Sequence, residues 1–213
     1  MVSVILRSRN EERYIGFAIQ SLHDFFGYDL EIVLVDNEST DNTIRVVNSF
    51  EYLNIKKITI NKNDYTPGKS LNLGLESCNG EIVLCMSSHC QITNLNLDKI
   101  QAKLEDNVAV WGKQIPIWDG KKVSRRYMWS NFKDVDQTNY FCELENRYFL
   151  HNAFCFYKRE ILIENKFDEK YSGKEDRYWV NDMINKGHQV YYDSEMICNH
   201  FYTDNGATWK GIG

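Results

Sequence analysis

A chain of 213 residues is long enough to bury a sizeable core without disulfides or structural metals. Apolar residues make up 43% of the chain and charged residues 26%, which is typical of a globular protein. The formal net charge of −5 gives no general attraction to DNA or RNA, so we expect no nucleic-acid partner. With two prolines and no linker or low-complexity tract, the sequence predicts a single domain.

The six cysteines include no C-x-x-C pair, and Cys78, Cys85 and Cys155 lie in apolar runs. This pattern favours reduced, mostly buried thiols over a disulfide framework. The strand-like residues 2–6 do not resemble a signal peptide, and no apolar run is long enough to span a bilayer. We therefore expect a cytoplasmic protein.

Four short apolar runs alternate with amphipathic segments in the first half of the chain. The predicted buried strands comprise residues 2–6, 32–35, 56–60 and 82–86. Short connections and the order β-α-β-α-β-α-β predict an α/β fold of the Rossmann-like type. Its central sheet should be mostly parallel, with helices on both faces.

Three helices are predicted between these strands. The first has Asn10 as its N-cap, with Glu11 and Glu12 in the first turn, where the helix dipole favours acidic residues. Its buried face comprises Ile15, Ala18, Ile19 and Leu22. The other two helices begin near Asp41 or Asn42 and after the turn signal Pro67-Gly68.

Polar side chains follow three of the predicted strands, at the point where each strand ends. They are Arg7 and Arg9 after the first strand, Asp36 and Asn37 after the second, and Ser87, Ser88 and His89 after the fourth. In open α/β sheets the ligand lies beyond the carboxyl ends of the strands. These residues are therefore candidates for a binding site.

The second half of the chain has weaker periodicity, and residues 114–150 give no clear element. The predicted elements are a helix marked by Leu97, Ile100 and Leu104, strands over residues 108–113 and 153–157, a helix over 158–165, a helix opened by Gly173-Lys174-Glu175-Asp176 and ended by Gly187, and short strands over 189–192 and 196–198, the last leading to His200.

Several of these motifs, taken in order, resemble those of the family 2 glycosyltransferases of GT-A fold. The matching stretches are residues 2–5 through Asn10-Glu11-Glu12, residues 35–41, residues 79–83, Phe167-Asp168-Glu169, Glu175-Asp176, and Gly187 followed by Val190-Tyr191-Tyr192. The resemblance implies one GT-A domain, with residues 1–90 binding the nucleotide and residues 91–213 the acceptor. It also implies inverting transfer of a sugar from a nucleotide-sugar donor to a saccharide or glycolipid hydroxyl, in making a surface polysaccharide or glycolipid.

The resemblance also implies roles for individual residues. Asp36 and Asn37 would contact the base and ribose, and Asp176, preceded by Glu175, falls on the position of the general base. A base of this kind takes the proton of the acceptor hydroxyl. Glu175 and Asp176 would alternatively only favour a helix N-terminus. On the acceptor side, the resemblance and the local pattern point to Asn152 and Trp179.

The sequence departs from the family at the metal-binding motif. Ser87-Ser88-His89 replaces D-x-D, whose last acid binds a divalent metal on the diphosphate, and Asn37 replaces an acid. His89 with His200 is similar to a D-x-H variant with a distant histidine, and imidazole suits Mn²⁺ better than Mg²⁺. A histidine hydrogen-bonded within the sheet is the alternative for His89.

Should no metal act here, cations would have to stabilise the diphosphate. The candidates are Arg7, Arg9, Lys69 and a basic cluster comprising Lys121, Lys122, Arg125 and Arg126. The plainest interpretation of the basic cluster is a solvated loop. It would alternatively contact anionic lipid, placing the protein peripherally at the inner membrane face.

Three rival interpretations remain open from the sequence. The missing D-x-D leaves room for a catalytically silent sugar-nucleotide-binding module. A nucleotidyltransferase of related fold is disfavoured, because Arg7-Ser8-Arg9-Asn10 contains no glycine for a phosphate-binding loop. A zinc site formed by His89, Cys90, Cys198 and His200 matches no common ligand spacing.

Overall fold

One large sheet runs through the molecule, and α-helices cover both of its faces. The structure, a computed structural model, describes residues 1–123, 127–204, 206 and 209. The strands are β1 Val2–Ser8, β2 Leu30–Asp36, β3 Ile55–Thr59, β4 Ile82–Ser87, β5 Cys90–Asn94, β6 Ala109–Trp118, β7 Lys121–Lys122, β8 Gln137–Thr138, β9 Phe141–Cys142, β10 Arg147–Tyr148, β11 Phe154–Lys158 and β12 Val190–Phe201. The helices are α1 Ile15–Phe26, α2 Thr43–Asn48, α3 Pro67–Leu75, α4 Leu97–Asp106, α5 Arg159–Glu164 and α6 Glu175–Asn185, with a 3-10 helix at Tyr127–Asn131.

The sheet has a parallel half followed by a mixed half. Strands β3, β2, β1 and β4 lie side by side in that order and run parallel. Strand β11 follows, antiparallel to both β4 and β6. Strand β12 is parallel to β6, and β5 ends the order antiparallel to β12. The predicted α/β sheet is confirmed, and the antiparallel pairs come from the second half of the chain.

Successive side chains of the central strands point into two separate cores, as the two-residue period of a strand requires. In β1, Ile5 joins the core formed with α3, α5 and α6. Its neighbours Val4 and Leu6 join the core formed with α1, α2 and α4. Because both faces are covered, the strand reads as a continuous apolar run. This arrangement leaves the carboxyl edge of the parallel strands free to form a site.

The prediction that Asn10 caps the first helix is wrong. Asn10 has a φ of 52°, in the left-handed region, and helix α1 begins at Ile15. An N-cap residue normally has an extended backbone. Instead, Asn10 Oδ1 accepts a 2.7 Å hydrogen bond from the Thr40 N–H and so ties the β1–α1 loop to the loop after β2. Glu11 is buried outside the helix, at 4% exposure.

The two short strands predicted near His200 form one long strand, β12, which is interrupted by a bulge. Its register against β6 shifts between Asp193 and Ile197. Asp193 is buried and accepts a 2.8 Å hydrogen bond from Lys99 Nζ, so the polar segment is a bulge held by an ion pair. Gly112 lies opposite, where a Cβ would overlap the carbonyl oxygen of Met196. Strand β12 therefore carries the chain continuously to His200.

All six cysteines are buried and unbridged, as predicted. Burial raises the pKa of the Cys78 thiol to about 12, so the thiol stays protonated at neutral pH. Among the residues described, no helix combines the length and the apolar character needed to cross a membrane.

Candidate active site

A cleft of about 500 Å³ lies at the carboxyl ends of β1, β2 and β4. Both halves of the chain line it. The predicted site residues that line the cleft are Arg7, Arg9, Asn37, Ser87, His89, Asn152, Glu175 and Asp176. Residues far apart in sequence therefore meet in one place, because parallel strands end at the same edge of the sheet.

Several predicted residues lie outside this cleft. The Asp36 carboxylate accepts hydrogen bonds from the Ser39 N–H and hydroxyl, at 2.9 and 2.6 Å, and so holds the turn after β2. The Ser88 hydroxyl is buried and donates to the Arg7 carbonyl. Lys69 Nζ lies 3.9 Å from an Asp64 carboxylate oxygen. These contacts indicate structural roles for Asp36 and Ser88.

Trp179 is placed in the core, which corrects its assignment to the acceptor site. Its side chain is 4% exposed and packs edge-on against Tyr157, with ring centres 5.1 Å apart. Its Nε1–H donates to the Asn165 carbonyl at 2.7 Å. Helix α6 turns this indole toward the sheet, away from the cleft.

The basic cluster is described only in part. Lys121 and Lys122 are exposed in the short strand β7, which pairs with the end of β6, and neither lines the cleft. Arg125 and Arg126 lie outside the described residues. A role of this cluster in diphosphate or lipid binding stays a prediction.

Asp176 lies in the first turn of α6 and is held by three hydrogen bonds. Its Oδ2 accepts from the Asn152 N–H at 3.0 Å and from Arg177 Nη1 at 2.7 Å. Its Oδ1 accepts from the Arg177 N–H at 2.9 Å. These three contacts fix the orientation of the carboxylate at the cleft wall, and a general base has to be positioned in this way.

Glu175 lies beside Asp176 in a less favourable environment. Its Oε1 is 3.3 Å from Arg7 Nη1 and 3.3 Å from Asn152 Nδ2. Burial, followed by the neighbouring charge of Asp176, raises the pKa of the Glu175 carboxyl above its usual value. The Tyr157 hydroxyl donates to Asn152 Oδ1. Asn152 thus connects both acids to the core, which makes it a positioning residue for them.

Five buried polar atoms of cleft-lining residues have no hydrogen-bond partner within the described part of the protein: Ser8 Oγ, Glu11 Oε2, Asn37 Oδ1, Glu145 Oε2 and Arg177 Nε. Two of them, the Asn37 side-chain oxygen and the Ser8 hydroxyl, belong to uncharged groups at the carboxyl ends of β2 and β1. Native proteins rarely leave such atoms unpaired, because an unmet buried polar group costs about 1–3 kcal/mol. Asn37 Oδ1 and Ser8 Oγ are therefore available to a polar ligand.

His89 and His200 come together at the edge of the cleft, as the sequence predicted. Their Nε2 atoms are 3.1 Å apart. His89 Nδ1 is 3.1 Å from Glu11 Oε1, and His200 Nδ1 is 2.7 Å from Gln114 Oε1. His200 is completely buried, whereas His89 is 9% exposed and lines the cleft.

The described residues contain no group of three or more His, Cys, Asp or Glu side chains that could hold a metal ion. The four-ligand zinc site of His89, Cys90, Cys198 and His200 is therefore not formed. Of these four side chains, the imidazoles of His89 and His200 have nitrogen atoms that face each other. Two nitrogens each about 2.1 Å from one ion and at right angles around it would be about 3.0 Å apart, close to the separation seen. The pair thus fits part of a metal site whose other ligands come from a substrate.

Sequence reasoning missed several residues of the site. Glu11 was assigned to a helix, and Gln114 lies in a segment that gave no prediction. Arg177, Tyr127, Glu145 and Lys174 also line the cleft. A polar residue within an otherwise buried strand, such as Gln114 in β6, is the signal that points to such a role, because buried amides need partners.

A parallel half-sheet that presents acids, arginines and histidines around a cleft at its carboxyl edge is typical of nucleotide-binding α/β enzymes. The model of glycosyl transferase family 2 matches residues 3–165. The chain therefore belongs to glycosyl transferase family 2.

Comparisons with individual proteins agree with this family. The chain is 34% identical over 108 residues to the poly(ribitol-phosphate) beta-N-acetylglucosaminyltransferase TarS of Staphylococcus aureus, covering 49% of this chain and 19% of TarS. A crystal structure of TarS 1-349 in complex with UDP-GlcNAc has a TM-score of 0.73 and 25% identity, covering all of this chain and 61% of that one.

Two further relatives extend the comparison. A GalNAc(5)-diNAcBac-PP-undecaprenol beta-1,3-glucosyltransferase of Campylobacter jejuni is 26% identical over 188 residues, covering 84% of this chain and 59% of the relative. The mannosyltransferase PcManGT of Pyrobaculum calidifontis, in complex with GDP-Man and Mn²⁺, has the same fold, with a TM-score of 0.70 and 20% identity over 98% of this chain and 59% of that one. The chain spans less than two thirds of the length of each of these relatives.

Proposed function

We propose that this chain transfers a sugar from a nucleotide-sugar donor to a hydroxyl of a saccharide or glycolipid acceptor, with inversion at the anomeric carbon. The observation that carries the proposal is the convergence of Asp176, Arg7, Asn37 and His89 on one cleft. Such a transfer needs a base for the acceptor hydroxyl and positive charge for the leaving diphosphate. The cleft contains side chains for both.

The nucleotide would lie against residues 1–90. Asn37 Oδ1 and Ser8 Oγ have no hydrogen-bond partner among the described residues, so the amide oxygen can accept, and the hydroxyl can donate or accept, a hydrogen bond with the base or ribose. Arg7 and Arg9 supply positive charge near the diphosphate. UDP-GlcNAc is the first donor to test, because the TarS structure contains it.

The acceptor would lie against residues 91–213, near Asp176. Tyr127, Glu145 and Lys174 line this side of the cleft and offer an aromatic face and charged groups of both signs to a saccharide. The TarS and Campylobacter jejuni relatives are named for a polymeric and a lipid-linked acceptor. A surface polysaccharide or glycolipid is therefore the acceptor class that we propose, and contact with the membrane surface would accompany a lipid-linked one.

A divalent cation, with Mn²⁺ favoured by the imidazole ligands, would be held by His89 and His200 together with the diphosphate. The 3.1 Å separation of their Nε2 atoms supports this assignment. When bound, the ion would neutralise charge on the leaving group. Arg7 supplies a fixed positive charge at the same cleft.

Asp176→Asn is the variant that tests the proposal. We expect the loss of about 10²–10⁴-fold in kcat, because an amide cannot take the acceptor proton. Asp182→Asn is the matched control, since Asp182 is exposed on the same helix and pairs with Lys186. Transfer would be measured with UDP-, GDP-, TDP- and CMP-sugars, with and without Mn²⁺, and the anomeric configuration of the product would be read by NMR.

Donor binding shows whether the Asp176→Asn variant is folded. A nucleotide sugar that binds the native state raises the melting temperature, and we expect this shift to survive the substitution. Asp176→Glu, which keeps a charge beside Arg177, should also lose transfer because its carboxylate is displaced. Equal transfer by wild type and both variants would refute the base assignment. If wild type binds the donor but transfers no sugar, the chain is instead a catalytically silent sugar-nucleotide-binding module. The absence of the D-x-D motif is the observation that favours this alternative.

A further inference from the structure

A continuous chain of polar groups begins at the cleft wall, passes through the interior of the sheet and returns to the cleft wall. It comprises Glu11, His89, His200, Gln114, His151 and the backbone N–H of Ala153, and we call it the histidine relay. Each contact in it is between 2.7 and 3.2 Å. Every side chain in the relay is buried, with exposures from 0% to 9%. The direction of each hydrogen bond can be worked out from the two ends.

The end of the relay at Ala153 and His151 fixes the tautomer of His200. The Ala153 N–H is an obligate donor and lies 3.2 Å from His151 Nδ1, so that nitrogen is an acceptor. The Gln114 group 3.0 Å from the same nitrogen must then be its NH₂. Gln114 Oε1 consequently faces His200 Nδ1 at 2.7 Å and can only accept. His200 therefore carries its hydrogen on Nδ1 and a lone pair on Nε2.

The other end of the relay, at Glu11, fixes the tautomer of His89 in the same way. Glu11 Oε1 lies 3.1 Å from His89 Nδ1, and a carboxylate oxygen can only accept. His89 therefore carries a hydrogen on Nδ1, which leaves Nε2 with a lone pair in the neutral ring. The second oxygen of Glu11 is buried and has no hydrogen-bond partner among the residues that the structure describes.

The two ends conflict at the centre of the relay. His89 Nε2 and His200 Nε2 are 3.1 Å apart, a hydrogen-bond distance, yet neither neutral ring has a hydrogen to donate there. Two facing lone pairs and an unpaired carboxylate oxygen require a positive charge. Carboxylate–histidine–metal arrangements satisfy the same requirement in known metal sites.

We propose that Glu11 and Gln114 are positioning residues that fix the tautomers of His89 and His200, so that both Nε2 lone pairs are presented to one divalent cation at the edge of the cleft. His151 and the Ala153 N–H hold Gln114 in the required orientation. This inference rests on the proposed function for the diphosphate that would complete the cation's ligands. The tautomers themselves are a property of the protein alone.

Nitrogen-15 NMR of the histidine side chains tests the tautomers without any variant. In metal-free wild-type protein we expect His200 to be protonated on Nδ1 and not on Nε2, and His151 to show the reverse. Zn²⁺ added with UDP should shift the Nε2 signals of His89 and His200 while their Nδ1 hydrogens remain. A hydrogen on His200 Nε2, or Nε2 signals that the metal leaves unmoved, would overturn the proposal.

Metal affinity tests the positioning roles. Mn²⁺ binding in the presence of UDP, followed by electron paramagnetic resonance of the free ion, should weaken about 10–100-fold in Gln114→Leu, the usual effect of losing an outer hydrogen-bond partner of a metal ligand. Gln114→Glu keeps an acceptor for His200 Nδ1 although it loses the NH₂ group donated to His151, so it should lose less affinity than Gln114→Leu. Gln101→Leu, on the exposed face of α4, is the matched control and should bind like wild type.

The outcomes separate this inference from the proposed function. Transfer that fails with every donor, while the tautomers and the Mn²⁺ affinities follow the expected order, would refute only the proposed function. Equal Mn²⁺ affinity in Gln114→Leu and wild type would refute the positioning role. Retention of the His200 tautomer with a hydrogen on His89 Nε2 and no Mn²⁺ binding would mean that a proton bridges the rings, and it would refute the cation site.

Discussion

At the scale of single residues, two acids and two arginines lie together in the wall of the cleft at the start of α6. Arg7 pairs with Glu175 at 3.3 Å, and Arg177 pairs with Asp176 at 2.7 Å. The charges cancel, but the two acids are not equivalent. Asp176 accepts three hydrogen bonds, whereas burial raises the pKa of Glu175. Asp176 is therefore the acid whose carboxylate is held in place by more donors, which supports its assignment as the base.

Glu175→Gln should change how stability depends on pH. The pKa of Glu175 is raised in the folded protein above the ordinary 4.5, so the folded state binds more protons than the unfolded state above that pH. This makes wild type lose stability as the pH rises from about 4.5 through the raised value. The variant lacks this loss and should melt at or above the wild-type temperature at neutral pH, with the two curves converging in acid.

Thermal melts of both proteins between about pH 4 and pH 8 measure this difference. Glu164→Gln is the control, because Glu164 is exposed at the end of α5, and it should follow wild type throughout. A variant that is less stable than wild type at neutral pH would mean that the ion pair with Arg7 outweighs the burial of Glu175.

At the scale of elements, the pairing of β12 with β6 determines the position of His200 in the sheet. The bulge between Asp193 and Ile197 resets the register, so that His200 lies opposite Pro116 of β6 and Cys90 of β5. The close approach at Gly112 leaves no space for a side chain, because a Cβ there would overlap Met196 and approach the Phe154 ring at 2.9 Å. The position of His200, the buried partner of His89, thus depends on packing at a distance.

Gly112→Ala is expected to destabilise the fold by about 1–3 kcal/mol, the usual cost of forcing an extra methyl group into a packed interior. Urea unfolding followed by circular dichroism measures the change. Gly173→Ala provides the comparison, since a Cβ at Gly173 meets no atom within 4 Å and the backbone has no positive φ. Equal stability of the two variants would show that β6 and β12 can separate at no cost.

At the scale of the whole molecule, the first half of the chain was predictable and much of the second was not. The parallel strands are apolar along their length because helices cover both faces, and this gives a clear signal. In the sequence, the polar bulge at Asp193 looks like a gap between two short strands, although β12 is one strand. Asn10 has the residue type of an N-cap, although its backbone is left-handed.

The cleft was predictable where side chains follow strand ends, as Arg7, Asn37 and His89 do, and where the family resemblance pointed to Glu175 and Asp176. Gln114 contacts His200, which is 86 residues away in sequence, and His151, which is 37 residues away. No local sequence pattern indicates contacts at such separations. Trp179 shows the opposite error, because an aromatic residue near a predicted site belongs to the core.

The buried thiols give a measure of global unfolding. All six cysteines are buried in the native fold, and burial raises the pKa of Cys78 to about 12. A thiol-specific disulfide reagent at neutral pH should therefore titrate no thiol rapidly in native protein and all six in denaturant. The slow native reaction should follow the unfolding rate measured by fluorescence. Rapid labelling of even one thiol would reveal local opening of an element.

Among the described residues β12 is the last strand in sequence, and it lies between β6 and β5. His89 and His200 are 111 residues apart in sequence and are brought together by the pairing of β12 with β5, where His200 lies opposite Cys90. A local opening of β12 that leaves the parallel strands intact would therefore separate the two imidazoles and abolish the proposed cation site.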